Sequence, residues 1–294
     1  MKRSRPQKPI QIAPSLGFVK RKVAGKVGGG LLVAALAAFW PAAAAADEGP
    51  FDYSAYARVL ENYVTPEGQV RYAALKQDPK DLEAFLAEVA AVSPVSHPER
   101  FPTDDHKIAY WINAYNAFVL KSVIEDYPME TVIRLGTLWG VLFFKRSKHE
   151  AGGREYSLDD IEHGILRRQF PEPRIHFALN CASTSCPVLR GEPYRAEPLD
   201  EQLDAQARDF IRKQQNVWLR GNVLFLSKIF DWYQEDFLQE LKRQGRQKPT
   251  LADYLAHYLP AETAARLREE SPRIEFYDYD WALNDASDGA AGSR

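Results

Sequence analysis

The 294-residue sequence is short of cysteine and of uncompensated charge. Its two cysteines, Cys181 and Cys186, form no C-x-x-C pair, so the thioredoxin-type redox motif and the common zinc patterns are absent. A net charge of −2, with acids and bases interspersed over most of the chain, lacks the basic excess of a nucleic-acid binder. No uninterrupted apolar run reaches the roughly 20 residues that a membrane-spanning helix needs. Neither an internal repeat nor a long linker divides the chain. What remains is an ordinary globular profile, 45% hydrophobic and 27% charged.

Charge is unbalanced only at the N-terminus. Lys2, Arg3, Arg5, Lys8, Lys20, Arg21, Lys22 and Lys26 all precede the first acid, Asp47. Gly28–Gly30 then lead into LLVAALAAFWPAAAAA, interrupted by Pro41 and ending with Ala44 and Ala46 in an A-x-A pattern. Basic region, apolar core and small-residue site predict a secretory signal peptide over residues 1–46, with an uncleaved anchor as the alternative. Export from a diderm cell makes the protein periplasmic, and membrane contact arises only if this segment stays attached.

Beyond it, periodicity predicts a helix over Phe51–Val64, an extended piece at Val70–Leu75, and an amphipathic helix over Pro79–Val92. The strongest helix runs from Lys107 to Asp126, with Asp104/Asp105 as its cap and Pro128 as its stop. Asn113 and Asn116 sit inside it, three apart and on one side, where amides that are poor helix formers call for specific partners. A hairpin is expected from Leu138–Phe144 and Arg154–Tyr156, then a capping box at Ser157 opening a helix through Arg168. His176–Asn180 reads as a short strand. Leu199–Lys213 is helical, Gly221-Asn222 turns a hairpin, and Ser227–Asp236 and Leu251–Leu259 are helical. Arg273–Tyr277 is a last strand, and a frayed tail begins at Asp285. The sum is α+β, a single helix-rich domain over 51–284 with a small, mainly antiparallel sheet.

Five segments occur together in order: WINAYNA (Trp111–Ala117), SLDDIEHGILR (Ser157–Arg167), RIHFALNCASTSCPVL (Arg174–Leu189), LSKIFDWYQEDF (Leu226–Phe237) and YDWALN (Tyr279–Asn284). Together they resemble the domain-of-unknown-function 547 family over essentially the whole mature chain. The resemblance implies no chemistry, since the family's name records none. Its members include exported bacterial proteins and eukaryotic multidomain proteins. In the eukaryotic branch the position of Cys186 is often serine, while that of Cys181 is usually kept.

Cys181 admits two readings. As a nucleophile it needs a lowered thiol pKa and a base. If His176–Asn180 is a strand, alternation sends His176 to the opposite face from Cys181, which leaves His163 as base. Glu162 or Asp159 would orient it, and Asn113 or Asn116 would donate to an oxyanion. This predicts a thiol-dependent hydrolase or transferase acting on peptide-like bonds in the cell envelope. The other reading pairs Cys181 with Cys186 in a disulfide, as export favours, within a non-enzymatic binding or scaffold domain with an envelope partner. No cofactor is implied. A metal triad of His176, Cys181 and Cys186 is a third option whose spacing fits no common zinc pattern. Asp231, Asp236, Asp278 and Asp280 read as solvated element ends, with a glycosidase carboxylate pair as the sharper alternative.

Overall fold

The computed structural model describes residues 49–133 and 142–286. The expected signal segment lies outside them, as does the chain beyond Ala286. Three helices lead in: α1 (Ser54–Tyr63), α2 (Tyr72–Gln77) and α3 (Lys80–Ala91). The Val70–Leu75 segment is thus mostly helical rather than extended. Only Val70 keeps a bridging role, between Val64 and Asp285.

The axis is α4 (Asp104–Asp126), with Thr103 rather than the two aspartates as its cap: Oγ1 of Thr103 accepts the His106 N–H. From Ile108 to Leu120 every residue is buried, so α4 is surrounded rather than laid on one face. Packed against it are β1 (His149–Ala151) and β2 (Arg154–Tyr156), an antiparallel hairpin turned by Gly152 and Gly153. Gly152 has φ +57° and lies so close to Ser93 that a Cβ would stand 2.1 Å from its Oγ. The described part of the Leu138–Phe144 strand expectation is instead a π-helical turn, Leu142–Arg146. A strand would send Phe143 and Phe144 to opposite faces, whereas here both pack on the same core.

Ser157 opens α5, over 158–169: its Oγ accepts the Asp160 N–H at 3.0 Å, and Asp160 accepts the Ser157 N–H at 2.9 Å. The middle of α5, Asp160–Leu166, is π-helical. Wide turns of this kind are frequent where a helix carries a site.

The expected strand at His176–Asn180 does not form. Pro173–Phe177 is a 3-10 turn, with Glu172 accepting the Arg174 N–H to start it. Pro173 favours that turn by fixing φ. The turn also feeds two cores, since Ile175 joins the cluster around α4 and Phe177 joins a second one. This second core is built by α6 (Leu199–Arg212), β3 (Val217–Arg220), β4 (Val223–Leu226), α7 (Lys228–Trp232), α8 (Gln234–Arg243), α9 (Leu251–Leu255) and α10 (Ala261–Glu270). The single helix expected over Ser227–Asp236 breaks at Tyr233, and α10 was not among the expected helices.

β3 and β4 pair antiparallel across Gly221-Asn222, and β5 (Arg273–Phe276) adds parallel to β4. Both small sheets sit within a helix-rich α+β domain. Asp285 and Ala286 are not frayed: the Ala286 N–H donates to Val70 O at 2.9 Å and Tyr127 Oη donates to Asp285 at 2.8 Å.

Candidate ligand cleft

A cleft of about 890 Å³ opens where the two cores meet. That is within the size range of sites for small organic ligands. α4 contributes Tyr115, α5 contributes Asp159, Glu162, His163 and Arg167, and the 3-10 turn contributes His176. The disulfide loop and the aromatic segment near the C-terminus complete the wall.

One wall is a connected polar network. Glu162 accepts from Tyr115 Oη at 3.3 Å on one oxygen and from Tyr233 Oη on the other. Burial pushes both phenols far above their ordinary range, so both stay protonated donors. The Tyr233 ring lies between two side chains: it stacks on the His176 imidazole at 3.7 Å, and the Arg167 guanidinium stands 5.1 Å from its centroid. Breaking the helix at Tyr233 is what lets this ring turn into the cleft.

Behind Tyr233, Asp236 holds two partners. Arg167 binds it through Nε and Nη2, at 2.6 and 2.9 Å, and His176 Nε2 donates to it at 2.7 Å. Burial works against the Asp236 charge, yet the bonds from His176 and Arg167 hold its carboxyl well below the usual range. For His176, burial pushes the imidazole down by more than the Asp236 bond raises it. Arg167 already balances the carboxylate, so a neutral imidazole leaves the trio without net charge. With Nε2 as donor, Nδ1 is an unprotonated acceptor, buried and without a partner.

The opposite wall is aromatic and sulfur-bearing. Trp232, Tyr279 and Trp281 pack together with centroids 4.6 to 5.9 Å apart, and Trp232 remains 45% exposed. Beside them Cys181 and Cys186 form a disulfide across a Cα–Cα span of 6.0 Å. The loop is fixed from several sides. Ala182 takes a left-handed φ of +61° and its N–H bonds Asn180 Oδ1 at 2.9 Å. The Thr184 N–H and the Asn284 N–H then tie the loop to the terminal segment, at 2.8 and 3.0 Å. A non-glycine residue at positive φ is costly, and such conformations cluster at functional loops.

The structure therefore gathers Cys181, His163, Glu162 and Asp159 around one cleft, and leaves Asn113 out. Asn113 donates to Tyr194 O at 2.8 Å and accepts the Tyr194 N–H at 3.0 Å. Asn116 likewise donates to Ala178 O and accepts the Asn180 N–H, at 3.0 and 2.8 Å. Both amides are backbone clamps, Asn116 just before Cys181 and Asn113 at Tyr194, beyond Cys186. His163 Nδ1 stands 3.0 Å from Arg167 Nη1, an N–H donor, so its lone pair is taken; Nε2 then faces Asp159 at 3.7 Å. The strand whose alternation set His176 aside does not form, and His176 Nδ1 carries a buried lone pair without a partner.

The metal triad His176, Cys181 and Cys186 is undone by the same bonds, since the sulfurs join each other and His176 Nε2 belongs to Asp236. Among the described residues, no group of three or more His, Cys, Asp or Glu is arranged to hold an ion. Asp236, expected as a solvated helix end, is the hub of the wall. Its signal was present in FDWYQEDF, where an acid stands among aromatics, but nothing local pointed to His176 or Arg167.

Residues 99–211 match the model of the family described as "Protein of unknown function, DUF547". The matched segment runs from just before α4 through nearly all of α6. It holds Glu162, His163, His176 and both cysteines, while Tyr233, Asp236, Tyr279 and Trp281 lie beyond it. No curated protein and no solved structure matches the chain. Among the described residues, no helix is long and apolar enough to cross a membrane.

Proposed function

We propose that the cleft binds a peptide-like segment of the cell envelope, and that the Cys181–Cys186 disulfide pins the wall on which it rests. The observation that carries this reading is Glu162, a carboxylate aimed by two phenols beside an exposed aromatic surface. Such a group accepts amide N–H donors, while Trp232, Tyr279 and Trp281 offer flat apolar area to the rest of the ligand. The disulfide favours binding over resting thiol catalysis, because a bonded sulfur is no nucleophile. The test is a titration of the purified protein with envelope-derived peptides, read by tryptophan fluorescence, with envelope oligosaccharides in parallel. Saturable peptide binding should weaken about tenfold or more in Glu162→Gln, the worth of a charge-assisted hydrogen bond. Saturation by oligosaccharides alone, or indifference to Glu162→Gln, overturns the reading.

A second reading rests on Cys181 sharing the cleft with His163 and His176. Once reduced, Cys181 acts as nucleophile in acyl transfer, with His176 as base and Asp236 as orienter, the parts first given to His163 and to Glu162 or Asp159. Peptide cleavage or transfer that needs a reductant and is lost in Cys181→Ser supports it. A reduced protein that binds but never turns over peptide sinks it.

Either activity belongs outside the cytoplasm, since residues 1–46 have the pattern of a signal peptide. The mass of the protein recovered from a periplasmic fraction tests this. A chain starting near Asp47 supports cleavage, and an intact chain in the membrane fraction supports the anchor.

A further inference from the structure

The disulfide borders two spaces. On one side is the aromatic cleft, lined by both cysteines. On the other is a hollow of about 640 Å³, lined by Gly68, Asn180, Ser183, Cys186, Gln206 and Asn216 among others. Cys186 lines both and Cys181 lines only the cleft, and each cysteine is partly exposed. A thiol arriving through the hollow therefore meets Cys186.

The two sulfurs also differ in their surroundings. Ser183 Oγ lies 3.2 Å and Tyr279 Oη 3.3 Å from Cys181 Sγ. Ser183 Oγ is also 3.3 Å from Tyr279 Oη, so the pair forms a short hydroxyl relay ending at the sulfur. A thiolate at Cys181 would be met by the phenol and, after one rotation, by the serine. Cys186 Sγ has one fixed donor, the Cys181 N–H at 2.7 Å. Exchange runs faster when the departing sulfur is the better-stabilised thiolate and the attacked sulfur the more accessible one.

We propose that Cys181–Cys186 is an exchangeable disulfide, opened by a dithiol reductant that attacks Cys186 from the hollow and releases Cys181 as a thiolate into the cleft. The reductant's first thiolate bonds Cys186 Sγ while the Cys181–Cys186 bond breaks, its electron pair passing to Cys181 Sγ. The reductant's second thiolate then attacks its own mixed sulfur and releases Cys186. The reductant ends as a disulfide, and the cysteine pair has gained two electrons. This does not depend on what the cleft binds, but it is the step that would convert a binding site into a thiol site.

The test uses the purified protein with its disulfide closed and reduced glutathione as a monothiol trap. After acid quench, peptide mapping locates the mixed disulfide, and circular dichroism follows the fold. The expected result is glutathione on Cys186, a free Cys181, and unchanged helicity. Tyr279→Phe should slow adduct formation about fivefold, the worth of one lost hydrogen bond. An adduct on Cys181, an unchanged rate in Tyr279→Phe, or reduction only as helicity is lost overturns the proposal. Peptide binding is measured separately on the oxidised protein, so the two proposals can fail independently.

Discussion

His176 and Asp236, sixty positions apart in the chain, meet through a single 2.7 Å bond. That contact fastens the 3-10 turn, which feeds both cores, to α8 beside the cleft. Because Arg167 on α5 shares the same carboxylate, one side chain ties three elements together.

Asp236→Asn should therefore cost about 1 to 2 kcal/mol, as expected when charge-assisted hydrogen bonds to a half-buried carboxylate are weakened. Equilibrium urea unfolding of the two proteins measures it. A loss below about 0.5 kcal/mol would class the contact with ordinary surface pairs and remove its bridging role.

Asn116→Ala should destabilise the domain by about 2 to 4 kcal/mol, because it strands Ala178 O and the Asn180 N–H in the core. Asn116→Asp should not rescue it, since a carboxylate cannot donate to Ala178 O. Thermal unfolding of both variants is the check. A cost no larger than at an exposed helix position would show that the clamp is replaceable.

Acid should weaken the fold through its buried imidazoles. Burial against Phe118 pushes His149 from 6.5 down to about 4, and burial pushes His176 in the same direction. As pH falls the unfolded chain takes these protons first, so stability present above about pH 6.5 is lost progressively toward pH 4. His149→Phe keeps the ring stack and should flatten that loss. Unfolding midpoints at pH 7, 6 and 5 decide it, and an identical slope in the variant would rule His149 out.

Gly152→Ala should loosen the β1–β2 hairpin from α3, where Val89 O and Ala90 O accept the Gly152 and Gly153 N–H groups. The added carbon would meet Ser93 Oγ at 2.1 Å, and φ +57° is unfavourable for alanine. We expect a loss of more than about 1 kcal/mol from the backbone conformation alone. Proteolysis within 149–156 should rise with it. Wild-type resistance would show that Ser93 gives way freely.

Local order was legible where it is locally determined. Period and a proline stop placed α4, Gly221 placed the β3–β4 turn, and the four-residue step placed Asp159 beside His163. The asparagines of α4 announced partners without naming them, because Tyr194, Ala178 and Asn180 come from distant segments. The error at His176 came from reading an apolar run as a strand. Pro173 and Glu172 were there to signal a turn. Long-range pairing stayed hidden: nothing in FDWYQEDF says which imidazole its last aspartate will hold.

The π-helical stretch of α5 makes the site depend on length as well as on identity. Glu162 and His163 lie inside Asp160–Leu166, while Arg167 comes directly after it. Removing one residue there would restore ordinary helical spacing and rotate the downstream residues by about 100°. Arg167 would swing away from Asp236 while Glu162 kept its tyrosines. A one-residue deletion would thus spare every named side chain and still take the cleft apart, a kind of damage that no comparison of residue types would reveal.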